Sequence, residues 1–167
     1  MKTPYNEIVN IASIGSQTNP ISLNEILRKA NDEQLTPAAQ NKERVLFLGI
    51  DVQQDFMDNG ALGVPGAHGD VERMTQFIYN NMDKITNIAV SIDTHTPHQI
   101  FHPCWWIDEN GNNPAPYTPI TLADLDSGKY RAVIYPRQSR DYVEHLEKDG
   151  KKTLCVWSYH CLQGTSG

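Results

Sequence analysis

The sequence predicts an α/β fold built on a doubly wound, mostly parallel sheet, and three observations carry that prediction. Two short continuous apolar runs, "RVLFLGID" from Arg44 and "NIAVSID" ending at Asp93, have the composition of strands buried on both faces. Segments with apolar residues at helical spacing stand between and after such runs. The runs end on a carboxylate or a histidine, where an open parallel sheet places its ligand-binding residues.

The elements follow in order. Residues 1–43 are polar and weakly patterned, and read as an N-terminal extension that packs as an arm. Within it Ser22 and Glu25 in "SLNE" have capping-box spacing ahead of Ile26, Leu27 and Ala30, which predicts a helix. "RVLFLGID" is the first strand, and "DNGALGVPGAHG" interrupts regular structure. Asp70 is placed to cap a helix in which Val71, Met74, Phe77, Ile78 and Ile85 recur at helical spacing. "NIAVSID" then completes a β-α-β unit. The long stretch "THTPHQIFHPCWWIDENGNNPAPYTP" is rich in Pro, Gly, Asn and aromatics, the composition of a functional loop. A weaker strand, "YRAVIY", precedes a helix capped by Ser139 and closed by Gly150, with Tyr142, Val143 and Leu146 on its apolar face. "KTLCVW" reads as a third buried strand, and helices are expected on both faces of the sheet.

Composition excludes several functions. A formal net charge of -6 over 167 residues, with Lys and Arg scattered, argues against a nucleic-acid or anionic-membrane partner. No apolar run approaches the roughly 18 residues of a membrane span, and "MKTPYNEIVN" lacks the apolar stretch of a secretory signal, so a cytoplasmic location is expected. Cys104, Cys155 and Cys161 are too few for a disulfide framework and are expected to be reduced.

The strand ends carry the chemistry. Asp51, Asp93 with His95, and His160 should gather along one rim of the sheet. Asp93 and His95 in a D-x-H step, with a histidine from a neighbouring strand, make a two-His-one-carboxylate set that leaves positions open on a divalent metal. His160 is the favoured third ligand, with His98 and His102 in "HTPHQIFH" as rivals. Asp51 has no histidine of its own, which suits a base or an orienting group.

From Arg44 onward the chain resembles the nicotinamidase and isochorismatase-like cysteine hydrolases, on the strength of "DVQQDF" at 51–56, "GALGVPGA" at 60–67, "DTH" at 93–95 and the closing "WSYHCLQGTSG". The resemblance implies a doubly wound, Rossmann-type domain over 44–167 with an inserted segment at about 107–152. It implies an amide hydrolase acting on a C–N bond of a small aromatic amide, with Asp51 as triad carboxylate. Asp93, His95 and His160 would hold a divalent metal, Zn first and Mn or Fe as alternatives, and Phe56 and Trp157 would contact a flat heteroaromatic substrate. The partners Lys and nucleophilic Cys of that family lie beyond the W-x-x-H-C stretch. The sheet is accordingly expected to be truncated after its third core strand, the 167-residue chain to be inactive by itself, and the product to be a homo-oligomer through its unpaired edge. The alternative is a non-catalytic short form that binds metal or a small ligand.

Overall fold

The computed structural model describes residues 1–16 and 18–167, and the chain divides into two compact units, Met1–Asp93 and Thr94–Gly167. No described helix is long and apolar enough to cross a membrane.

The first unit opens with the arm. Its helix α1 spans Leu23–Glu33, and the Ser22 hydroxyl accepts the Glu25 amide at 3.2 Å, as the capping-box spacing predicted. Glu33, at the far end of α1, is 6% exposed and accepts the amides of Lys2 (2.7 Å) and Thr3 (2.5 Å), so the extreme N-terminus is tied back to the helix. Tyr5 bonds Thr75 (2.8 Å) and the Tyr79 hydroxyl donates to the Thr3 carbonyl (2.7 Å), anchoring the arm on the helix that follows.

Strand β1 is Leu46–Gly49, helix α2 is Ala67–Asn80 and strand β2 is Asn87–Val90; β1 and β2 pair in parallel with Leu46 opposite Asn87 and Gly49 opposite Val90. The β-α-β unit is therefore present. Helix α2 begins three residues before Asp70, and the capping is done from a distance. Asp58 accepts the Gly66 amide at 2.6 Å and the His68 amide at 2.9 Å, filling two of the donors a helix start leaves over. Gly66 stands at φ +87, a conformation that favours glycine. Gly60 is required for a different reason, since a Cβ there would lie 2.2 Å from the Asp55 carbonyl oxygen.

The second unit is built from short pieces: β3 (Trp106–Asp108), β4 (Pro119–Ile120), α3 (Leu122–Asp126), β5 (Tyr130–Ala132), α4 (Pro136–Lys148) and β6 (Leu154–Cys155). β3 pairs with β5 and β4 with β6, both antiparallel. Their apolar residues close a core of Trp106, Ile120, Ala132, Val143, Leu154 and Val156. Helix α3 starts on a full capping box between Thr121 and Asp124, and Arg140 of α4 binds Asp126 at 2.9 Å, holding the two helices together. Pro136 occupies the first turn of α4. Ser139 lies inside that helix, buried, and its hydroxyl accepts the Trp105 indole N–H at 2.9 Å instead of capping.

This arrangement corrects the expected fold class. The described residues form three separate two-stranded sheets, one parallel and two antiparallel, and not a doubly wound, mostly parallel sheet. The stretch "KTLCVW" contributes only Leu154–Cys155 to a strand, so it is no third core strand after which a parallel sheet could be truncated. The middle of its backbone meets residues 117–120, where the Val156 amide donates to Thr118 (2.9 Å) and the Tyr117 amide donates to Val156 (2.5 Å), while the Trp157 amide donates to Phe101 (2.7 Å). A short apolar run reveals that a strand is buried, and not which strand it pairs with. Burial of β1 and β2 on both faces is also overturned. Leu46, Leu48 and Ile50 are 61, 53 and 65% exposed on one face, and on the α2 side Ile88 and Val90 keep 49 and 59%.

Candidate metal centre

Asp93 follows β2 and His95 lies two residues on, at the start of the second unit. Gln53 holds the backbone of Asp93 from both sides: its Oε1 accepts the Asp93 amide at 2.5 Å and its Nε2 donates to the Asp93 carbonyl at 3.0 Å. A side-chain amide thus replaces the neighbouring strand at the point where β2 ends. His95 is secured in the same manner by main chain. Its amide donates to the Cys161 carbonyl (2.9 Å) and its carbonyl accepts the Gln163 amide (2.9 Å), forming a parallel bridge to Leu162. That bridge is what brings His160 beside His95, 65 residues away in sequence, with ring centroids 4.8 Å apart.

Asp93, His95 and His160 each offer a ligand atom, and those atoms all lie within 4.8 Å of one another. The set can hold a metal ion. Tetrahedral ligands on bonds of about 2.1 Å sit roughly 3.4 Å apart, so small side-chain rotations close the spread. His160 is 5% exposed, and its Nδ1 lies 2.7 Å from the Ser158 carbonyl. A carbonyl only accepts, so Nδ1 is the donor in that bond, which leaves Nε2 as the ring nitrogen that a cation would use. Two imidazoles and one carboxylate suit Zn, Mn and Fe alike, and the donor set does not choose among them.

The rivals for third ligand separate. His98 is exposed. His102 is fully buried, with its ring 5.8 Å from those of both His95 and His160, yet it lies outside the three-residue set. Burial, and then the like charge of His160 and His95, hold the His102 imidazole below its ordinary value and favour its neutral form. Phe101 walls the cluster, edge-on to His95 at 4.9 Å and tilted to His160 at 6.4 Å.

Asp51 and Phe56 line an open, mostly apolar groove of about 500 Å³ with Phe47, Ile50 and Met74. Asp51 takes a left-handed backbone (φ 56), and is fixed by Ser91, whose hydroxyl donates to Oδ1 and accepts the Asp51 amide, each at 3.0 Å. Trp157 is 38% exposed and packs edge-on to Tyr117 at 5.9 Å. Tyr117 itself has φ +69, a strained setting for a bulky side chain. Of the three thiols, Cys104 donates to the Pro97 carbonyl (3.1 Å), burial pushes the Cys155 thiol up, and Cys161 is buried.

Sequence reasoning missed Gln53, Phe101 and Tyr117. Gln53 lies in the quoted "DVQQDF", but nothing in its identity announces that it replaces a strand. No protein-family model, no curated protein and no solved structure matches this chain.

Proposed function

We propose that this chain binds a divalent metal at Asp93, His95 and His160, and that the ion orients a small heteroaromatic amide for C–N hydrolysis of the nicotinamidase type. The convergence of the three ligand atoms supports the reading. A bound ion would supply a Lewis-acid anchor for one atom of the substrate. The chain's own residues do the rest. Gln53 fixes Asp93, the Ser158 carbonyl sets the tautomer of His160, and Phe101 gives the cluster an apolar wall.

A second reading is ion and ligand binding without catalysis, and two of the three thiols favour it. Covalent hydrolysis needs a thiolate, whereas Cys104 donates its S–H to a carbonyl and Cys155 is shifted away from ionisation.

Titration with Zn²⁺ or Co²⁺ followed by calorimetry tests the site. Saturable uptake is expected, weakened more than about 100-fold by alanine at Asp93, His95 or His160, since loss of an outer partner alone costs 10- to 100-fold. His98→Ala should leave it unchanged. Nicotinamide is then expected to perturb the absorption of the Co²⁺ form, and benzamide, which lacks the ring nitrogen, is not. Uptake indifferent to all three alanines would sink the site; identical responses to both amides would sink the substrate class. Ammonia release from nicotinamide separates the two readings: its appearance supports hydrolysis, and its absence with metal and ligand binding intact supports binding without catalysis.

A further inference from the structure

Strands β1 and β2 are covered by α2 on one face, where a Cβ on Gly49 would meet Met74 at 3.9 Å. The other face is bare. Side chains alternate along a strand, so Leu46, Leu48 and Ile50 share that face, and the parallel register sets Asn87 beside Leu46 and Ala89 beside Leu48. All five are exposed. An apolar stripe flanked by neutral residues, with no charge at its centre, is costly to leave in water and marks a contact surface.

The ends of the stripe are charged, and oppositely. The same alternation puts Arg44 at its start, exposed and with no ion-pair partner among the described residues. At its finish stands the exposed carboxylate of Asp51, tied to this face through Oδ1 by the hydroxyl of Ser91, two residues beyond Ala89. The two charges lie roughly 20 Å apart, at about 3.3 Å per residue. A surface that is positive at one end, apolar in the middle and negative at the other complements itself when turned end for end. A two-fold axis crossing the strands at Leu48 makes that turn, laying Leu48 over Leu48, Leu46 over Ile50, and Arg44 within reach of Asp51 of the other copy. An axis along the strands would instead set Arg44 against Arg44 and Asp51 against Asp51, so charge selects between the two stacks. We propose that the partner of this face is a second copy of the chain, stacked with its strands antiparallel and closed at each end of the stripe by an Arg44–Asp51 pair. The inference goes beyond the metal site and does not depend on it.

Sedimentation of the intact chain up to high micromolar concentration tests it. A reversible dimer with Kd of about 1–100 µM is expected, because one two-stranded face is small for a specific interface. Leu48→Asp sets two like charges together on the axis and should weaken the dimer at least about 30-fold. Arg44→Glu and Asp51→Lys should each weaken it about tenfold. Mixed in equal amounts, those two variants should pair with close to the original affinity, since only the mixed dimer has opposite charges at both ends. A folding defect in either variant gives no such recovery in trans. A chain that stays monomeric throughout overturns the proposal. So does a dimer indifferent to Leu48→Asp, which would bury another surface, and so does a mixture no tighter than its components, which would mean that the copies are not turned end for end.

Discussion

The two units bury their apolar residues very differently. In Met1–Asp93 the regular elements are the longer ones, with 11- and 14-residue helices and two four-residue strands, yet among the described residues there Ala67 is the one buried apolar side chain. In Thr94–Gly167 the strands are two or three residues long, and six side chains close a core in which Trp106, Ile120, Val143 and Val156 are 0% exposed. Burial follows from closing a layer on every side and not from the regularity of an element. β1 and β2 have α2 against one face and Leu46, Leu48 and Ile50 exposed on the other. The two antiparallel ribbons of the second unit pack with α3 and α4 around a shared interior.

The largest test of this contrast compares one residue from each unit. Trp106→Ala should destabilise the second unit by about 3–5 kcal/mol, because it empties a fully buried site and frees the Ile100 carbonyl that its indole N–H meets at 2.6 Å. Leu48→Ala, at a half-exposed position, should cost under about 1 kcal/mol. Denaturant unfolding measures both, and equal losses would break the comparison. A smaller effect is expected at Asp58, whose carboxylate caps α2 and also meets the His68 ring at 2.9 Å. Asp58→Ala should cost about 1–2 kcal/mol, read as faster amide exchange in the first turn of α2 with exchange in α4 unchanged.

The smallest effect is a pH dependence of the arm. Hydrogen bonds from the Thr3 side chain and then the amides of Lys2 and Thr3 hold the Glu33 carboxyl down to about 2, against an ordinary 4.5. A depressed folded-state value means the carboxylate's contribution is complete above about 4.5 and disappears as pH falls through about 2. The Lys2 and Thr3 amides should therefore lose exchange protection across that window, and Glu33→Gln should weaken it at neutral pH. Protection unchanged down to pH 2 would show that the arm is held by its Tyr5 and Tyr79 contacts instead.

Local patterns were the legible part of the fold. Ser22 before α1, Val71, Met74, Phe77 and Ile78 in α2 and the apolar runs of β1 and β2 all act over a few neighbouring residues, and each named its element, whereas Ile85, expected in the same helix, lies beyond its end at Asn80. The Thr121–Asp124 box that starts α3 was equally local and was missed for want of a long periodic segment behind it. Asp58 was illegible as a cap, because it acts on a helix start eight residues away.

The same division runs through the metal centre. By itself the sequence determined that Asp93 and His95 share a D-x-H step at a strand end and that His160 was the best third candidate, since residue type and spacing limit which side chains can reach one ion. Only the tertiary structure decided that the second half pairs in antiparallel ribbons, that His95 is bridged to Leu162, that Gln53 fixes Asp93, and that His102 is buried against both imidazoles with an unpartnered nitrogen. Backbone amides and carbonyls are alike at every residue, so which ones meet across the chain is settled by packing and closure, and no local pattern of side chains records it.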